Sequence, residues 1–140
     1  MSEEDARKYI CEIIVALEFI HKQGFVYNTL KPSNILLTEK GHVKLSDFGF
    51  GKMKKIDYSD HRQDISFMTP EVLEGDITEK SCDWNVLGNL MYQMLVGKAP
   101  YYAKQDNKRM YHEIMSADLV TPGTVSFEAR DLIKKLMRRE

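Results

Sequence analysis

Cysteine is scarce in this chain: Cys11 and Cys82 are the two in 140 residues, with no CxxC pair and no histidine at metal-ligand spacing. That argues against a disulfide-stapled scaffold or a zinc site and predicts two reduced, buried thiols. Long hydrophobic runs are lacking too. No apolar stretch approaches the roughly 20 residues that span a bilayer, and the opening MSEEDARKY is acidic and helix-starting, unlike a signal peptide. Neither charge sign is in excess, since 20 Lys+Arg stand against 21 Asp+Glu for a net charge of −1. This balance gives no electrostatic reason to expect nucleic acid or an anionic membrane as a partner. Internal repeats, low-complexity tracts and linkers are missing as well. What remains is 43% hydrophobic residues, enough for one ordinary core in a chain of this length. The expectation is a single-domain-sized protein of the cytoplasm or nucleus.

The elements can be placed from pattern. Ser2 reads as a helix N-cap, with Glu3, Glu4 and Asp5 complementing the positive helix end. Tyr9, Ile10, Ile13, Ile14, Leu17 and Ile20 recur along one helical face, and Gly24 closes that helix behind the basic pair His21 and Lys22. Residues 35–37 and 42–45 flank Glu39-Lys40-Gly41, a turn signature, and predict a small β-hairpin. Residues 51–66 are polar and without period, the texture of a long irregular loop. A strongly apolar helix follows over about 81–96, buried nearly all round and ended by Gly97 and Pro100. Weaker helices cover about 105–115 and 126–137. The fold class is mainly α with one small hairpin.

The chemistry lies between Tyr27 and Gly49. Tyr27-Asn28-Thr29-Leu30-Lys31-Pro32-Ser33-Asn34 is followed, after the hairpin, by Asp47-Phe48-Gly49. This pair resembles the catalytic loop, (H/Y)RDLKPxN, and the DFG motif of the eukaryotic protein kinases. Thr69-Pro70-Glu71 is similar to the APE motif, and Cys82-Asp83-Trp84 with Gly88 to the DxW…G signature of the buried helix that follows. The motifs stand in the family's order and cover essentially residues 1–140. The Tyr27 variant of the loop, Gly41–Leu45 and Glu128–Ile133 most resemble the AGC group, nearest its ribosomal S6-kinase-like members.

The resemblance implies roles. Asp47 and Asn34 match the two residues that hold Mg²⁺ on the nucleotide, and Lys31 matches the lysine that neutralises the transferred phosphoryl group. Mg-ATP is therefore the cofactor the resemblance implies. Asp83 matches the aspartate that accepts backbone hydrogen bonds from the catalytic loop, and Glu71 one that pairs with an arginine beyond the last helix. Read without the family, Asp47 is a turn residue, Lys31 a solvated side chain and Asn34 a hairpin cap.

The departures point the other way. Thr29 stands where the family has its catalytic aspartate. A neutral hydroxyl can orient a substrate but has no useful basicity, and general-base assistance is worth roughly 10²–10⁴ in rate. Asn28 replaces the arginine that clamps a phosphorylated loop residue, and Asp60 falls at the usual phospho-acceptor position. Gln63-Asp64-Ile65 replaces the triplet that helps hold the loop. No Gly-rich phosphate loop or strand lysine occurs, so the stretch corresponds to the large lobe from the helix before the catalytic loop to the penultimate helix. The expectation is a catalytically inactive kinase-like lobe that works through protein partners, using the long loop and helical faces around Tyr101, Tyr102 and Tyr111. The alternative is part of an ATP-dependent Ser/Thr kinase. An exposed, partly apolar face is expected where a small lobe docks.

Overall fold

Ser2 caps the first helix as its side chain predicts, accepting from the Asp5 backbone N–H at 3.1 Å. The computed structural model describes residues 1–48, 65–74, 79–101 and 106–138. Helix α1 spans Glu3–Lys22 and turns Ala6, Ile10, Ile13, Leu17 and Ile20 inward. Gly24, at φ 84°, follows its end in the left-handed conformation that glycine adopts without strain. A single 3-10 turn at Pro32–Asn34 leads into strand β1 (Ile35–Leu37), which pairs antiparallel with β2 (Val43–Leu45) in the register Ile35 to Leu45. Gly41, at φ 80°, makes the turn between them.

Helix α2 (Pro70–Glu74) precedes α3 (Lys80–Val96), α4 (Asn107–Ser116) and α5 (Phe127–Leu136). No residue of α3 from Cys82 to Val96 is exposed. The reason is that it serves two hydrophobic clusters at once. Val86, Leu87 and Leu90 join Ile13, Leu17 and Tyr27, whereas Tyr92 joins Ile65, Tyr101, Ile114 and Ile133. Helix α3 packs on both α1 and α5. At the α3–α5 crossing, a Cβ on Gly88 would come within 2.6 Å of Met137 Cγ and 2.9 Å of Leu136 Cβ.

Several expectations are corrected. Cys82 is buried, but Cys11 is exposed, because it lies beside the buried stripe of α1 and not on it. Helix α2 went unpredicted, since five residues are too few to show a period. Ser126 is the N-cap of α5, accepting from Ala129 N–H at 3.1 Å, and not its first helical residue. Tyr101 is buried and Tyr111 half-buried, so neither offers an exposed helical face. Most of the loop expected over 51–66 lies outside the described residues, with Gly49, Asp60, Gln63, Asp64 and Tyr102.

Candidate functional site

Asp83, in the first turn of α3, organises the site from below. It is 1% exposed and gathers three donors: the backbone N–H groups of Tyr27 and Asn28, each at 2.8 Å, and His21 Nε2 at 2.7 Å. A buried carboxylate needs such company to offset its lost hydration. His21 comes from the last turn of α1 and is itself buried, its ring set edge-on to Trp84 at 5.3 Å. The sequence places it only in the last turn of that helix, beside Lys22. The missed signal was its position four residues after Leu17, on the buried stripe.

Above Asp83, Tyr27 is fully buried, donates its O–H to the Ser46 carbonyl and packs its ring edge against Phe48 at 5.5 Å. Burial pushes the phenol's pKa up from its ordinary value, with the nearby Thr29 hydroxyl acting in the opposite direction. Asn28 (φ 62°) and Asp47 (φ 54°) both take the left-handed backbone conformation. An ordinary L-residue does so at a cost of about 1–2 kcal/mol, and Asn and Asp are among the residues that tolerate it best. Asn28 thus loses the arginine's charge yet suits the bend.

Asn34 ties the loop to the hairpin. Its Nδ2 donates to the Thr29 carbonyl at 2.8 Å. Its own carbonyl accepts from Ser46 N–H at 2.9 Å and Ser46 Oγ at 3.1 Å. These bonds extend the hairpin register by one residue and bring Asn34 beside the chain that carries Asp47. Lys31 and the Asp47 side chain are exposed. Thr29 is half-buried, and its hydroxyl donates to the Asp47 carbonyl at 2.6 Å. The hydroxyl proton is therefore already engaged within the protein.

The donor set suits magnesium. Asn34 Oδ1, which among the described residues meets the Ser33 hydroxyl at 3.5 Å, and the Asp47 carboxylate are hard oxygen ligands. Among the described residues no cluster of three or more His, Cys, Asp or Glu could hold a metal alone. Mg²⁺ is commonly held by one or two protein oxygens, phosphates and water. On the neighbouring face an open groove of about 670 Å³ is lined by Val15, Phe19, Val43, Leu45 and Phe48. Val15 and Phe19 are 67% and 66% exposed. An exposed apolar face thus lies on α1 and the hairpin.

Comparison with known proteins decides the family: the protein kinase domain matches residues 1–140. The chain belongs to the protein kinase family. The kinase sequence is 44% identical over 140 residues to a ribosomal protein S6 kinase beta of Caenorhabditis elegans, covering 98% of the chain and 25% of that protein. It is 38% identical to a RAC family serine/threonine-protein kinase homolog of Dictyostelium discoideum, over 99% of the chain and 32% of the relative. With ribosomal protein S6 kinase alpha-6 of Mus musculus the identity is 40%, over 99% and 18%. The kinase chain thus spans a third or less of these relatives. The AGC and S6-kinase likeness read from the motifs agrees with them.

Proposed function

We propose that this kinase-type segment does not transfer phosphate and acts through protein contacts. The observation that carries the reading is Thr29: the residue at the catalytic aspartate's position has no basicity, and its hydroxyl is turned to the Asp47 carbonyl. The exposed face of Val15, Phe19 and Phe48 is the surface on which a partner, or a small lobe, would settle. Mg-ATP binding through Asp47, Asn34 and Lys31 is compatible with this reading, because nucleotide can be held without being turned over.

A second reading, part of an ATP-dependent Ser/Thr kinase, is favoured by one feature. Asp47, Asn34 and Lys31 are retained on an intact hydrogen-bonded frame. Phosphate transfer from ATP to a serine peptide, measured on the longest natural product carrying this segment, separates the two. The first reading expects a rate at least roughly 10²-fold below that of the Thr29→Asp form, if that form is active at all. Turnover by the natural chain that is lost with Asp47→Asn would overturn it.

A further inference from the structure

We propose that Thr29 is a hydroxyl latch: its proton closes the catalytic-type loop onto the Asp47 carbonyl and so fixes Asp47 and Phe48 in place. The reasoning starts from how the chain is tied as it leaves β2. Three side-chain or backbone donors hold the stretch at Ser46: Ser46 N–H and Oγ to the Asn34 carbonyl, and the Tyr27 O–H to the Ser46 carbonyl. One residue further on, Asp47 takes a left-handed backbone with φ 54°. Among the described residues, the hydrogen bond that reaches Asp47 is the one from Thr29 Oγ1 at 2.6 Å. The same hydroxyl lies 3.4 Å from the Tyr27 carbonyl, so its single proton belongs to the shorter contact.

The latch is closed from both sides. The Thr29 carbonyl accepts from Asn34 Nδ2, so the residue is held by its backbone while its side chain holds Asp47. Beyond the latch Phe48 turns its ring to Tyr27, which Asp83 anchors to α3. A carboxylate at position 29 has no proton at neutral pH. Facing the Asp47 carbonyl, it would bring two acceptors together, so it must swing outward. At this position a general base and a latch exclude each other. The threonine trades the former for a site held in one conformation without ligand.

The latch stands whether or not the chain turns over nucleotide, and its test reads backbone protection where the earlier test reads phosphate transfer. Hydrogen–deuterium exchange of the full chain is compared for Thr29→Val, Thr29→Asp and Thr29→Ser. Valine keeps the shape without the hydroxyl, aspartate keeps polarity without the proton, and serine keeps the proton. Exchange of peptides covering 45–48 is expected to rise about fivefold or more in the valine and aspartate chains, the loss of one hydrogen bond. Serine should stay within about twofold of the natural chain, and α1 should not change. Unchanged exchange over 45–48 in the valine or aspartate chain overturns the latch, as does a rise spread equally over α1. If valine and aspartate both fail to fold while serine folds, the hydroxyl carries the stability of the whole fold and the local latch is overturned. A serine chain that fails to fold, or exchanges like valine, overturns it.

Discussion

The two ends of the site have been treated differently. Around the catalytic-type loop the buried polar groups are satisfied: Asp83 has three donors, Asn34 bonds on both sides, and the Thr29 hydroxyl is engaged. Around the segment that leads into α2, Thr69 Oγ1, Glu71 Oε2 and Asn89 Oδ1 are buried with no hydrogen-bond partner among the described residues. Asn89 reaches the segment through its Nδ2, which donates to the Ser66 carbonyl at 2.7 Å. In the first region Thr29 and Asn28 depart from the motif while Lys31, Asn34 and Asp47 keep to it, and the frame around them is hydrogen-bonded throughout. The contrast teaches that the loop's architecture is held by its own hydrogen-bonded frame, whereas the α2 segment carries polar groups that no described residue completes.

The largest effect should come from the frame. Asp83→Ala leaves two backbone N–H groups and the His21 ring buried without an acceptor, at a cost of about 3–5 kcal/mol. That is a large share of a domain's stability, and urea denaturation should show it as a collapse of the midpoint. A loss below about 1 kcal/mol would break the comparison. Helix α3 serves both regions, so Gly88→Ala should weaken both together. The added Cβ meets Leu136 Cβ and Met137 at the α5 crossing, an overpacking cost of about 1–3 kcal/mol readable in the same assay.

In the second region the sign should reverse. Thr69 is 1% exposed and its hydroxyl is unpartnered among the described residues, so Thr69→Val should stabilise the chain by about 1 kcal/mol. Destabilisation would mean the hydroxyl is satisfied after all and would shrink the contrast. The smallest effect concerns the clasp of α1 onto the hairpin. Glu12 accepts from the His42 ring at 2.8 Å and from Val43 N–H at 2.6 Å, which holds its pKa below the ordinary 4.5. A depressed carboxylate stabilises the fold fully above the unfolded pKa and loses that contribution as pH falls through the folded one. Thermal unfolding followed from pH 6 to 3 should therefore show a shallow acid decline that Glu12→Gln flattens.

Much of the fold was legible beforehand because it is written in local pattern. The α1 stripe, the Ser2 cap, the Gly41 turn and the all-round burial of α3 follow from spacing and from the conformational preferences of single residues. Of the candidate site, Thr29, Lys31 and Asn34 sit in one sequence motif and Asp47 in the next, and the structure ties Thr29 and Asn34 to the chain that carries Asp47. Less legible was what covers what. The sequence suggests a surface aromatic at Tyr101, but α4 and α5 close over it, and nothing local marks His21 as the partner of Asp83.

By itself, then, the sequence determined the elements other than α2, the family and the chemical poverty of position 29, because backbone preference and side-chain acidity are properties of a residue and its neighbours. Only the tertiary structure decided where the Thr29 proton goes, that His21 belongs to Asp83 across 62 positions, and that Thr69 lies buried. Those outcomes depend on which groups separate elements bring within hydrogen-bond reach and which they seal from water. Neither is written in any one stretch of chain.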